Sequence, residues 1–242
     1  FDRWSRCPGS IRLINELEQR GEFENPSSEY AREGTAAHEI AARCLEKGFD
    51  AFQFMNEAVT VEGQDYTVDI EMVESVQMYL DYVRDTMQKN DMDSRNMYVE
   101  VSLTSAIHPD YKGTADCILW HYDYRLLYVI DFKYGKGVFV SPENNGQAMY
   151  YAVGADEKIA KGSAQGIVLA ICQPRCEQGG GIGVRECTVD GFDLLSWKST
   201  KLVPAFLEVD KPDAPLALGD HCKFCPVKER CPKMRETYEQ MA

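Results

Sequence analysis

Apolar positions recur at helical spacing in the first third of the chain. From about residue 97 they close up into short runs of strand length. Residues 10–20 predict a short helix with Ser10 as its N-cap. Residues 21–28, with Gly21, Pro26 and two serines, predict a loop. A helix is predicted over 29–47, where Ala37, Ile40, Ala41, Cys44 and Leu45 share one face and Gly48 ends the run. The clearest helix is 67–89: Val73, Val76, Leu80, Val83 and Met87 form one stripe, with acids and amides opposite.

The period then changes. Residues 97–103, 113–120 and 126–133 predict three strands. The segments between them, around Pro109 and at 121–125, are short enough for antiparallel connections. A helix follows over 143–160, with Pro142 at its entry. The unbroken apolar run 166–172 predicts a buried strand. Gly179, Gly180 and Gly181 predict a loop or hairpin tip before a strand near 183–189, and Asp190 is placed to cap a helix over 191–206. Residues 211–220 predict a connector rich in Pro and Ala, and 226–241 a last helix that carries Cys231. The core order is helix, three strands, helix, strand: an α/β fold with a mixed sheet flanked by helices.

Charge and cysteine content narrow the function classes. The net charge of -13 argues against a broad surface that coats nucleic acid, but leaves room for a local basic track beside an acidic metal site. It also leaves room for a protein partner in a DNA-processing complex. The odd count of nine cysteines speaks against a secreted disulfide framework and for reduced thiols in a cytoplasm. No apolar run reaches membrane-spanning length, so no membrane association is expected. Phe1 is preceded by no initiator Met, so residues upstream are expected, and no secretory leader is visible.

The candidate chemistry lies in the strand region. GTAD at 113–116 sits in the second predicted strand, and DFK at 131–133 ends the third. Neighbouring strands can bring Asp116 and Asp131 together, where a cation would relieve their repulsion. Hard oxygen donors suit Mg2+ or Mn2+. Asp131 and Lys133 are two apart on a strand and share a face, which places an ammonium beside a metal-bound water. Lys133 there could orient or deprotonate the water, or stabilise charge on a phosphate, giving phosphodiester hydrolysis without a covalent intermediate. Glu100, on the preceding strand, is a possible auxiliary carboxylate or a plain surface acid. Gln147 and Tyr151 are four apart and share a helix face.

With GTAAH at 34–38, GTAD, DFK, QAMYY at 147–151 and its cysteine set, the chain resembles the RecB-like branch of the PD-(D/E)xK nucleases. That branch includes the nuclease domains of RecB and AddB, the iron–sulfur exonucleases of CRISPR adaptation, and phage-encoded relatives. The resemblance covers nearly all of residues 1–242 and implies a single nuclease domain with a restriction-endonuclease-like core. Within it, 1–28 and 211–242 would form a cysteine-cluster region, 29–95 a helical region and 96–175 the catalytic core. The resemblance implies that His38, Asp116, Asp131 and the carbonyl of Phe132 ligate the metal, that Lys133 is the catalytic lysine, and that Gln147 and Tyr151 position DNA. Where the superfamily pattern carries a proline before its first acid, this chain has Ala115.

Cys222, Cys225 and Cys231, with Cys7 at the other end of the chain, offer four soft thiolates. Their spacing suits either a 4Fe-4S cluster or structural Zn2+. The resemblance implies the cluster, as a staple joining the N- and C-terminal segments. Cys44, Cys117, Cys172, Cys176 and Cys187 fit core or loop positions. Arg3, Arg6 and Arg12, with Trp4 among them, and Lys112, Lys133 and Lys136 are candidates for tracking a strand, the aromatic by stacking on a base.

These readings converge on a metal-dependent DNA nuclease, expected to act as an exonuclease on single-stranded ends in phage or bacterial DNA processing, recombination or repair. A structure-specific endonuclease of the same fold, a non-catalytic DNA-end or protein-binding module and a redox sensor built on the cluster are the alternatives. Nothing in the residues excludes RNA.

Overall fold

Side-chain caps and one left-handed glycine set the ends of the longest helices. Ser28 Oγ accepts from the amide of Ala31, Asp69 Oδ1 accepts from that of Met72, and Gly48 closes the first of these helices at φ 71°. A computed structural model describes residues 1–24, 27–105, 108–176 and 183–241; of residues 2, 105, 108–111, 240 and 241 it describes the backbone alone. The predicted glycine loop at 179–181 lies outside the described residues.

In chain order the elements are α1 (Asp2–Arg6), α2 (Gly9–Gln19), α3 (Glu29–Lys47), β1 (Ala58–Val61), β2 (Gln64–Thr67), α4 (Ile70–Lys89), β3 (Met97–Ser105), β4 (His108–His121), β5 (Leu126–Phe132), α5 (Gly146–Ala155), β6 (Gly166–Cys172), β7 (Val184–Asp190), α6 (Gly191–Trp197), α7 (Val203–Val209) and α8 (Pro232–Met241). They fall into two compact units, residues 27–194 and residues 1–26 with 195–242.

The larger unit holds a five-stranded sheet in the order β3-β4-β5-β6-β7. The β5–β6 pair is parallel and the other pairs are antiparallel, so the sheet is mixed. A parallel pair needs a crossover, and α5 lies in it. β5 and β6 are buried almost throughout, which is why both read as continuous apolar runs rather than alternating ones. The main core joins Ala37, Ile40 and Cys44 of α3, Val73, Val76, Tyr79 and Leu80 of α4, and Cys117, Leu119, Ile130 and Phe132 of the sheet.

Several boundaries differ from the sequence expectation, each for a local reason. The helix predicted from 67 begins at Ile70, because Thr67 pairs with Ala58 in the β1–β2 hairpin. That hairpin was not predicted, although Glu62 (φ 50°) and Gly63 (φ 79°) form the two-residue left-handed turn that favours such pairs. The helix predicted from Glu143 starts at Gly146: Asn145, not Pro142, caps it, with Oδ1 accepting from the amides of Gln147 and Ala148. After Ala155 it widens into a π turn, Asp156–Ala160. Asp190 does accept from the amide of Asp193, as its position suggested.

In the smaller unit Ser10 is not a cap. It is buried inside α2, which begins at Gly9 under a hydrogen bond from the Gly9 amide to Pro215 O. A Cβ on Gly9 would lie 2.4 Å from Ala214 O, so that close approach requires glycine. Ile14 and Leu17 pack on Val227, and Trp4 stacks on Phe206. The predicted last helix is shorter: Cys231 precedes α8, after a 3-10 turn at Lys228–Arg230.

Ile130 sits at 0% exposure in the middle of β5. Ile130→Ala is expected to lower unfolding stability by about 2–5 kcal/mol, read as a drop in the urea midpoint.

Candidate metal centre

Helix α3 buries Ala36, Ala37 and Ile40, and His38 projects beside them with 30% of its side chain exposed. Two strands meet it. The β3–β4 register pairs Val99 with Cys117 and Val101 with Ala115, which sets Glu100 directly across from Asp116. Glu100 has φ 47°, a left-handed conformation that costs a non-glycine residue about 1–3 kcal/mol. β5 then delivers Asp131 one residue before its end.

The side chains converge closely. His38 Nδ1 lies 3.0 Å from Asp116 Oδ1. Asp116 Oδ2 accepts from the amide of Phe132 at 2.7 Å, which ties β4 to the end of β5. One donor atom each from His38, Glu100 and Asp116 falls within 4.8 Å of the others. Asp131, only 7% exposed in its side chain, takes Lys133 instead: Nζ is 3.0 Å from Oδ1 and 2.8 Å from Oδ2. Lys133 leaves the sheet through its amide, which donates to Cys172 O.

Electrostatics follow from this crowding. Burial pushes the carboxyl of Asp131 above the usual range; Lys133 opposes that rise and Asp116 adds to it. Glu100 is raised by burial and by Asp116. Burial works against the charged forms of His38 and Lys133. The neighbouring carboxylates outweigh it, and both are raised. Three carboxylates, an imidazole and an ammonium therefore share a small volume that favours cations.

Helix α5 adds a second layer. Gln147 Oε1 accepts from Lys133 at 3.4 Å, and its Nε2 donates to Tyr151 Oη at 2.9 Å. Tyr151 is buried at 8% exposure, so it is at once a core ring and a hydrogen-bond partner. The structure thus brings Asp116, Asp131, Lys133, His38, Gln147 and Tyr151 together. It also places a Glu100 oxygen within 4.8 Å of the donor atoms of His38 and Asp116. Phe132 touches the centre through its amide. Two residues after β6 that periodicity did not single out, Gln173 and Arg175, contact the segment that follows Lys133.

The candidate strand-tracking residues divide. Lys112 is exposed. Lys136 is ion-paired with Glu71, and Arg12 donates to Pro212 O. Trp4 is not available to stack on a base: it is 8% exposed, between Phe206 and the edge of Phe1.

In the smaller unit Cys7, Cys222, Cys225 and Cys231 line one small cavity with Leu13, Leu216 and Met234. The Ala217 amide donates to Cys7 Sγ at 3.3 Å, and burial pushes the Cys7 thiol up. Among the described residues no three of these sulfurs lie within 4.8 Å of one another. Cys44, Cys117, Cys172 and Cys176 are buried and Cys187 half-buried.

The glycine of GTAD has a steric reason. A Cβ on Gly113 would lie 2.5 Å from Cε1 of Tyr151. Gly113→Ala is expected to destabilise the protein by about 1–3 kcal/mol and to cost less in a Tyr151→Ala background. Urea unfolding of the two single variants and the double variant measures that coupling.

Comparison with solved structures finds eight matching chains, among them the following two. One is a candidate exonuclease from Eubacterium rectale, 12% identical over 95% of this chain and 80% of that chain, with a TM-score of 0.44. The other is SSO0001, 12% identical over 93% of this chain and 95% of that one, with a TM-score of 0.29. Both scores are too low to transfer a role. The family model for DUF2800, described as a protein of unknown function, matches residues 1–242, so the chain belongs to the DUF2800 family.

Proposed function

We propose that this protein is a metal-dependent DNA nuclease of the PD-(D/E)xK type, acting as an exonuclease on single-stranded ends. The observation that carries the reading is the convergence of His38, Glu100 and Asp116 beside the Asp131–Lys133 pair. One nitrogen and two carboxylate oxygens within ion-binding reach fit Mg2+ or Mn2+. Asp131 stands beside this set, its buried carboxylate held by the Lys133 ammonium at 3.0 and 2.8 Å. His38, Asp116 and Asp131 would hold the ion, with Glu100 and the carbonyl of Phe132 completing the set. A bound divalent ion would supply an acidified water and neutralise a phosphate oxygen.

The chain's own residues account for the rest. Lys133, held by Asp131 and Gln147, presents an ammonium where charge develops on the phosphate being cleaved. Gln147 and Tyr151 fix the reach of that ammonium and line the path of the strand. Asp116, anchored by the Phe132 amide, is prevented from swinging away from His38.

The four cysteines around one cavity fit a thiolate-ligated group. The RecB-like resemblance favours a 4Fe-4S cluster there over zinc, with the thiolates of Cys7, Cys222, Cys225 and Cys231 as ligands. A cytoplasmic setting in a bacterial or phage-infected cell, where thiols stay reduced, belongs to the same reading.

The deciding experiment incubates anaerobically purified protein with end-labelled single-stranded DNA and Mn2+. Wild type is expected to degrade the DNA, Asp131→Ala to be inactive, and Lys133→Ala to be slowed about 100-fold or more. Cutting of circular single strands would assign an endonuclease. A folded wild type that cuts neither substrate would leave a binding module. Cys231→Ser is expected to lose iron and visible absorption and to melt at a lower temperature, which spectroscopy and a thermal scan read together. Retention of both by the variant counts against the cluster.

A further inference from the structure

The segment leaving β6 carries two side chains directed back at the segment that follows Lys133. Gln173 is 2% exposed and uses both ends of its amide. Its Nε2 donates to Gly135 O and Val138 O, and its Oε1 accepts from the amide of Val140. These bonds brace the loop that begins two residues after Lys133. Arg175 reaches further. Its side chain is 9% exposed, and its guanidinium lies 3.5 Å from Glu33 of α3 and 3.0 Å from Glu71 of α4. It also donates to Tyr134 O at 3.4 Å and rests on the Tyr134 ring, 3.9 Å from the centroid.

Glu33 is the significant partner. It stands five residues before His38, about 7.5 Å along the same helix. Residues 29–35 of α3 bury no apolar side chain, and burial starts at Ala36. Packing alone therefore holds the helix only from the turn that carries His38 onward. The end of α3 ahead of His38 is held by polar contacts: Arg32 to the Tyr66 hydroxyl, and Glu33 to Arg175. Apolar residues could fill the place of a buried ion pair at similar stability. What Arg175 adds is a fixed geometry among three elements, since a planar guanidinium bonds in set directions and stacks on a ring.

We infer that Arg175 is a positioning residue for the metal centre: it fixes the helix bearing His38 to the strand exit bearing Asp131 and Lys133. Its guanidinium is taken up by Glu33, Glu71 and Tyr134, so it acts through those groups and not on substrate. The inference rests on the metal-centre reading above. It extends that reading to a residue outside the ligand set.

The test titrates Mn2+ into wild type, Arg175→Met, Arg175→Lys and Glu33→Gln by calorimetry, each below its melting temperature. Far-UV circular dichroism establishes folding, and cleavage of end-labelled single-stranded DNA is measured in parallel. Loss of an outer partner of a metal site typically weakens metal affinity about 10- to 100-fold, and folded Arg175→Met is expected to show that loss. Arg175→Lys should recover part of it, and Glu33→Gln should weaken binding on its own. A purely structural role would lower the melting temperature and leave the Mn2+ affinity of the folded variants at the wild-type value, which would overturn the inference. If Arg175→Met does not fold, unchanged affinity in Glu33→Gln overturns it equally. A wild type that neither binds Mn2+ nor cuts DNA would instead remove the metal-centre reading itself.

Discussion

Clustered carboxylates repel one another, and the larger unit draws Glu100 and Asp116 together around His38 with Asp131 close enough to feel Asp116. Much of the surrounding structure bears that repulsion. His38 and Lys133 supply positive charge, each raised in basicity by the acids it faces. The Phe132 amide binds Asp116 and uses a sheet-end donor that would otherwise lack a partner. Glu100 accepts a left-handed backbone on a strand to take its place opposite Asp116. Strain of this kind persists only where neighbouring contacts over-determine it, and it gathers at functional sites. A cation among these groups would offset their charge.

The same logic explains how the contacts are layered. The candidate ligand set is carried by one helix and three strands, and none of these elements alone holds the others in register. Gln147 and Tyr151 on α5 steady Lys133 from one side, while Gln173 and Arg175 steady the strand exit and α3 from the other. Polar groups at this depth are useful because their bonds have direction, which apolar packing lacks. The thiol cavity belongs to the other unit, built from the two ends of the chain. Closing so long a loop through a bound group would contribute to folding as much as to chemistry.

Helices α3 and α4 and the three inner strands, β4, β5 and β6, were legible because burial imposes period and continuity on the apolar residues. Asp116, Asp131 and Lys133 were legible as a short pattern on neighbouring strands. The β1–β2 hairpin was present as a Glu-Gly turn but was masked by the helix beside it. Trp4 shows the converse: beside three arginines it reads as a stacking surface, and it is instead buried on Phe206, a partner some two hundred residues away in sequence.

The sequence by itself determined the element types, the mixed α/β order, the acidic pair with its lysine, and the cysteine set, because these depend on local spacing and residue chemistry. Tertiary structure alone decided that Glu100 stands across from Asp116, that Gly113 makes room for the Tyr151 ring, and that Arg175 joins Glu33, Glu71 and Tyr134. Each of these depends on strand register or on contacts between segments far apart in the chain. Such contacts leave no periodic trace, because the energy that selects them exists only once the sheet and its helices have packed.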